Sequence, residues 1–179
     1  MLDQNVAADA TTTVRQGNLG AAIMRITLGV ILLATWWGNL TGDVNLYSGD
    51  GLRGLLNWLG QSAEEGGNGG SLGFVHSILD SVVAPNAGFF GFVQGVVEFL
   101  IGLALLLGIA TRAAALAALG FFVTLFLSYF GGEEWIWTYV LLMAGAAVVF
   151  LDHGGRLLGL DQALVAKTGE PKGIKSLLF

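Results

Sequence analysis

Residues 87–109 read AGFFGFVQGVVEFLIGLALLLGI. The stretch is as long and apolar as the roughly 20 residues a helix needs to cross a hydrocarbon core. Glu98 is its one charge. Gly88, Gly91, Gly95, Glu98 and Gly102 recur at steps of three, four, three and four. At helical periodicity these residues share one face. Four glycines and a carboxylate on one stripe face a neighbouring helix and not lipid. Gly91 and Gly95 also form a GxxxG pair, which lets another backbone approach closely.

Three more stretches of this kind flank the first. Residues 19–40 carry Arg25 inside an apolar run, and residues 113–130 and 134–151 are free of internal charge. Hydrophobic residues make up 54% of the 179-residue chain and charged residues 12%, against about 25% charged in soluble domains. The expected fold is all-α: an integral membrane four-helix bundle with short external loop helices between spans one and two. Residues 19–156 then form the membrane domain, 1–18 a flexible cytoplasmic tail and 157–179 a C-terminal cytoplasmic tail. Residues 1–18 are polar and lack a basic cluster before the apolar run, so no signal peptide is expected there.

Charge placement sets the expected orientation. Arg15, Arg112, Arg156, Lys167, Lys172 and Lys175 flank one side of the four spans, and Arg53 alone flanks the other. The positive-inside rule puts the first side, with both termini, in the cytoplasm of a multi-pass plasma membrane protein. Trp36, Trp37, Trp58, Trp135 and Trp137 fall near the outer side, as an interfacial aromatic belt does. The external connection, residues 41–86, is too long for an ordinary loop. Leu52 to Leu59 is a short helix candidate. Ser71 is a candidate cap for a second, with Val75, Ile78, Leu79, Val82 and Val83 at helical spacing. Gly66, Gly67, Asn68, Gly69 and Gly70 link the two. Asp161 to Lys167 predicts a short helix on the cytoplasmic surface, and Glu133 and Glu134 suit the start of span four.

Charges at membrane depth are costly and are usually paired or functional. Arg25 lies about seven residues, roughly 10 Å, inside the cytoplasmic end of span one, and Glu98 about eleven residues, roughly 16 Å, inside that of span two. An arginine can bridge that difference, so Arg25 and Glu98 are expected to face each other. Gln94 lies one turn outward from Glu98 on the same face. Two readings follow. The pair orients two helices as a structural ion pair, or Arg25, Gln94 and Glu98 hydrogen-bond a quinone carbonyl and move its protons. On the second reading Glu98 and Arg25 are the catalytic candidates.

Other chemistry finds little support. The chain has no cysteine, which removes thiolate metal sites, iron–sulfur ligation and thiol redox chemistry. His76 and His153 fall on opposite sides, so they cannot bind one haem as a pair. No metal site is expected. A net charge of −5 argues against a nucleic-acid surface.

Three passages resemble the DoxX/DoxD family of small four-span membrane proteins. Glu98 to Arg112, EFLIGLALLLGIATR, fits an acidic residue, a glycine-punctuated apolar run and a Thr-Arg turn. MRITLGVILL, with Arg25 and Gly29, is similar to the family's opening, and VVFLDHGGRLLGLD to its close. The long tryptophan-bearing loop favours the DoxD branch. The resemblance implies a membrane subunit of a quinone-linked respiratory complex, thiosulfate:quinone oxidoreductase in the DoxD case. It also implies other membrane subunits as partners, and Arg25 and Glu98 as a shared polar site. A non-catalytic accessory subunit of a larger respiratory complex is the competing reading. A small transporter with Glu98 as a proton-coupled site is a third.

Overall fold

The computed structural model describes residues 18–61, 67, 72–132, 135–153 and 157–169. The described residues form helices and connections, with no strand among them. Arg15, Gly66, Asn68, Gly69, Gly70, Ser71, Glu133, Glu134, Arg156, Lys172 and Lys175 lie outside them, as do most of the two tails. The expectations that rest on those residues are therefore not addressed by the structure.

Helix α1 spans Leu19–Thr41. Asn18 starts it, its side chain accepting a hydrogen bond from Gly20 N at 2.8 Å, as N-cap residues do. Helix α2, Gly49–Gly60, contains the expected Leu52–Leu59 segment and is capped by Ser48. Helix α3, Gly73–Ile78, was expected to stand alone in the loop. Instead it runs on through a π-helical turn at Leu79–Val83 and a 3-10 turn at Ala84–Asn86 into α4, Ala87–Leu107. The helical run Gly73–Leu107 is thus continuous. Pro85 explains the changes of pitch: its ring clashes with the carbonyl four residues back and it lacks an N–H. The Asn86 side chain donates to Val82 O at 2.9 Å across this loosened region.

Gly108 ends α4 in the left-handed conformation with φ 68°, the usual glycine stop. Helix α5 spans Thr111–Tyr129, α6 Trp137–Leu151 and α7 Leu160–Thr168. Helix α1, the Gly73–Leu107 run and α5 are long and apolar enough to cross a membrane. Helix α6 is apolar but has 15 residues, about 22 Å at the helical rise.

Helices α1, α4, α5 and α6 share one core. Leu28 and Leu32 meet Ile101 and Leu105, with Ala114, Ala115, Ala118 and Phe122 from α5 and Ala146 and Val149 from α6. Helix α1 packs on α4 and α6, and α5 on α4 and α6. The chain direction alternates along this order. One end therefore holds the α1–α2 loop, α2 and the α5–α6 turn, where Trp58, Tyr129 and Tyr139 pack together. The other end holds the α4–α5 turn and α7. Helix α2 lies over the first end, with Leu52, Leu56 and Leu59 buried against Ala87. The opposite face of α4 is bare: Phe89, Phe92 and Leu100 are at least half exposed, as lipid-facing residues are.

Glycines set the closest approach of α1 to α4. A Cβ on Gly29 would lie 2.6 Å from Leu106 N and 3.0 Å from Gly102 O. These are backbone atoms that cannot move aside cheaply. Gly29→Ala should therefore cost about 1–3 kcal/mol, the usual penalty of overpacking, seen as a lower melting temperature in detergent. Gly120→Ala, where a Cβ meets nothing within 4 Å, should not lower that temperature and, inside a helix, should raise it slightly.

Candidate functional site

The two charges inside the spans are both buried, Arg25 at 0% and Glu98 at 1% exposure. They do not meet each other. Arg25 Nη1 donates to Leu105 O at 2.6 Å and to Leu106 O at 3.0 Å, and Nη2 donates to Leu158 O at 2.8 Å. Glu98 accepts instead from the hydroxyl of Tyr47, at 2.7 Å to Oε2. The expected Arg25–Glu98 pair is thus corrected. The expectation measured depth from the ends of apolar runs. Arg25 actually lies level with Leu105, seven residues beyond Glu98, which is about 10 Å along the helix.

The Arg25 end is a closed structural junction. The last carbonyls of a helix have no partner within it. Here Ala104 O accepts from Ile109 N, and Leu105 O and Leu106 O accept from Arg25. Gly108 O accepts from Asp161 N at 2.8 Å. Asp161 in turn caps α5: its carboxylate accepts from Ala110 N and Thr111 N, both at 2.8 Å. Its charge also acts on the Arg25 guanidinium. Asp161 is 2% exposed, so α7 begins tucked against the α4–α5 turn and not on an open surface. A Cβ on Gly108 would lie 2.6 Å from both Arg25 Nη1 and Gly159 Cα. Glycine is needed there for space as well as for its φ. Arg112 is fixed nearby, donating to Phe150 O at 3.0 Å and stacking over the Phe150 ring.

The Glu98 end is built differently. The glycine stripe of α4 does face a partner, as its spacing predicts, but much of that partner is the α1–α2 loop. A Cβ on Gly91 would lie 2.7 Å from Tyr47 O, and one on Gly95 2.8 Å from the Tyr47 ring. Gly102 takes Leu32 and Leu33 of α1. The GxxxG pair thus admits a loop carbonyl and an aromatic ring where a helix was expected. The loop is stiff enough to hold that ring. Tyr47 N donates to the Asn45 side chain at 2.9 Å, Ser48 Oγ donates to Asn45 O at 2.7 Å, and Leu46 N donates to Asn39 O at 3.0 Å.

The Tyr47 hydroxyl sits between two groups. It donates to Glu98 and accepts from Asn39 Nδ2 at 3.3 Å. Burial, and then the bond to the Glu98 carboxylate, push this phenol above its ordinary value, so it stays a donor. Glu98 Oε1 accepts no hydrogen bond among the described residues. Gln94, one turn away, is half-buried, and its amide makes no side-chain hydrogen bond among them. Of the three residues proposed from sequence, the structure brings Gln94 and Glu98 to one face and leaves Arg25 at the other end.

Tyr47 and Asp161 were not singled out from sequence. Tyr47 lies in a polar loop after α1, and the paired glycines that make room for its ring lie in α4. Asp161 had a signal too: α5 starts after Ala110, which offers no side-chain cap, so its first N–H groups need a distant acceptor. Asp161→Ala should cost about 1–3 kcal/mol through two lost caps. It should lower the melting temperature, while Asp43→Ala, on an exposed loop residue, should not.

No solved structure matches the chain. Residues 70–178 match the family described as "TQO small subunit DoxD". The matched part runs from just before α3 through α7, so it includes Gln94, Glu98, the α4–α5 turn and Asp161. With well over half of its length inside that match, this protein belongs to the DoxD family.

Proposed function

We propose that the chain is a four-span membrane subunit of a thiosulfate:quinone oxidoreductase-like complex, with Glu98 as its proton-exchanging acid and Gln94 as a neighbouring hydrogen-bond donor. One observation carries the reading: a fully buried carboxylate in the middle of an apolar span, held by a single hydroxyl. Such a group is expensive in a membrane and is a functional candidate by default. The family description, a small subunit of TQO, supports a place in a quinone-linked complex.

The donor set fits a quinone. Its two carbonyl oxygens need hydrogen-bond donors, and its reduction needs protons. The Gln94 amide offers N–H groups, and a protonated Glu98 offers an O–H from Oε1. A bound quinone supplies the two-electron, two-proton couple. The residues of this chain orient it and hold or deliver a proton at the Glu98 carboxyl. Arg25 is occupied by three carbonyl oxygens, so its proposed part is to close the far end.

In this reading α6 completes the membrane bundle with α1, α4 and α5. The Arg25 end, which carries Arg112 and Lys167, faces the cytoplasm of a plasma membrane protein. The Arg53 end faces outward. Among the described residues Arg53 is the only lysine or arginine at that end, with His76 nearby in α3, which leads into α4. Thiosulfate, a dianion, is then met by a partner membrane subunit. The accessory reading draws on one feature: neither Arg25 nor Glu98 is open to solvent.

Purification in mild detergent, with quinone extraction and mass spectrometry of accompanying subunits, separates the readings. Glu98→Gln should lower retained quinone about tenfold, the effect of about 1.4 kcal/mol. Leu100→Ala, on the exposed face of α4, should leave retention unchanged. Recovery with a larger assembly and no quinone sensitive to Glu98 favours the accessory subunit.

A further inference from the structure

We propose that Tyr47 is the proton gate of Glu98, linking that carboxyl to the α1–α2 loop end of the molecule and to no other. The proposal rests on Glu98 being a proton-exchanging acid, as proposed above, and it adds a route and a direction.

A buried acid can exchange protons only through a group within hydrogen-bond reach. Among the described residues, the one side chain that gives Glu98 a hydrogen bond is Tyr47. Beyond Tyr47 the polar contacts lead toward the loop end. Asn39, half-buried near the end of α1, donates to the Tyr47 oxygen. In the other direction α4 is apolar from Phe99 to Leu107, with glycine and alanine its only small residues. That side ends at Arg25, and a fixed cation about two turns away opposes a migrating proton. Tyr47 is the titratable group that the loop turns toward Glu98, and Arg25 of α1 is held by carbonyls at the far end; α5 carries Arg112 and Tyr129 and α6 carries Tyr139, near the ends of the bundle.

The step is a concerted hop with no redox change. The Tyr47 O–H bond breaks as its proton passes to Oε2 of Glu98, while a hydronium ion in the water on the Asn39 side gives up a proton to form the new tyrosine O–H and is left as water. No phenolate forms, consistent with a phenol raised above its ordinary value by burial. The reverse hop releases a proton to the same end. The stiff loop and the missing Cβ atoms at Gly91 and Gly95 hold the ring where the hop needs it.

The test needs no quinone. Infrared spectroscopy of the purified full chain follows the Glu98 carboxyl stretch at a pH where the group is protonated; Glu98→Gln assigns the band by removing it. Transfer into heavy water shifts the band as the proton is replaced. Tyr47→Phe keeps the ring on Gly95 but cannot relay, and should slow the shift at least tenfold, with the fold retained and the melting temperature lowered only by the lost hydrogen bond to Glu98. Asn39→Leu leaves Tyr47 intact, makes its outer neighbour apolar and should slow the shift as well. Exchange in Tyr47→Phe as fast as in the unaltered protein overturns the gate. Slow exchange in both variants with no Glu98-dependent quinone retention keeps the gate and removes the quinone assignment.

Discussion

The guanidinium of Arg25 is wholly buried, and three carbonyl oxygens from two distant parts of the chain converge on it. In an apolar medium an unsatisfied charge or carbonyl is costly, and this contact removes several such costs together. It ends α4, fixes α1 against it and anchors the segment that enters α7. Asp161 then completes the turn by accepting the first N–H groups of α5. The register of α1 on α4 follows, and with it the contact of Gly29 with Leu106 and Gly102. That register leaves the upper half of the α4 stripe to the Tyr47 loop.

The molecule therefore has two polar ends of opposite character. At one, every buried backbone group named above is matched and a cation sits among carbonyls. At the other, a carboxylate holds one hydroxyl and keeps an oxygen without a partner among the described residues. The first arrangement suits rigidity, and in the function proposed above the second exchanges a proton with a ligand.

The burial of Glu98 and the inward face of α4 were legible in the sequence because helical spacing alone decides them. Arg25 was legible as a buried charge for the same reason. Its partners were not. Depth counted from the ends of apolar runs carries an error of several residues, and two turns is enough to exchange a carboxylate for a set of carbonyls. Backbone acceptors also leave no mark in a sequence. The second loop helix was foreseen, but its fusion to α4 depends on how the chain absorbs Pro85, which local propensity does not decide. Tyr47 was hidden by its polar neighbours, although the paired glycines on α4 made room for a ring of its kind.

The separation of the two charged groups is most directly tested by a double-mutant cycle on Arg25→Lys and Glu98→Gln, read as thermal stability in detergent. Independent clusters predict additive effects, with a coupling energy within about 0.5 kcal/mol. A coupling above about 1 kcal/mol would mean that Arg25 and Glu98 form one interacting pair, and the account of two distinct ends would be wrong.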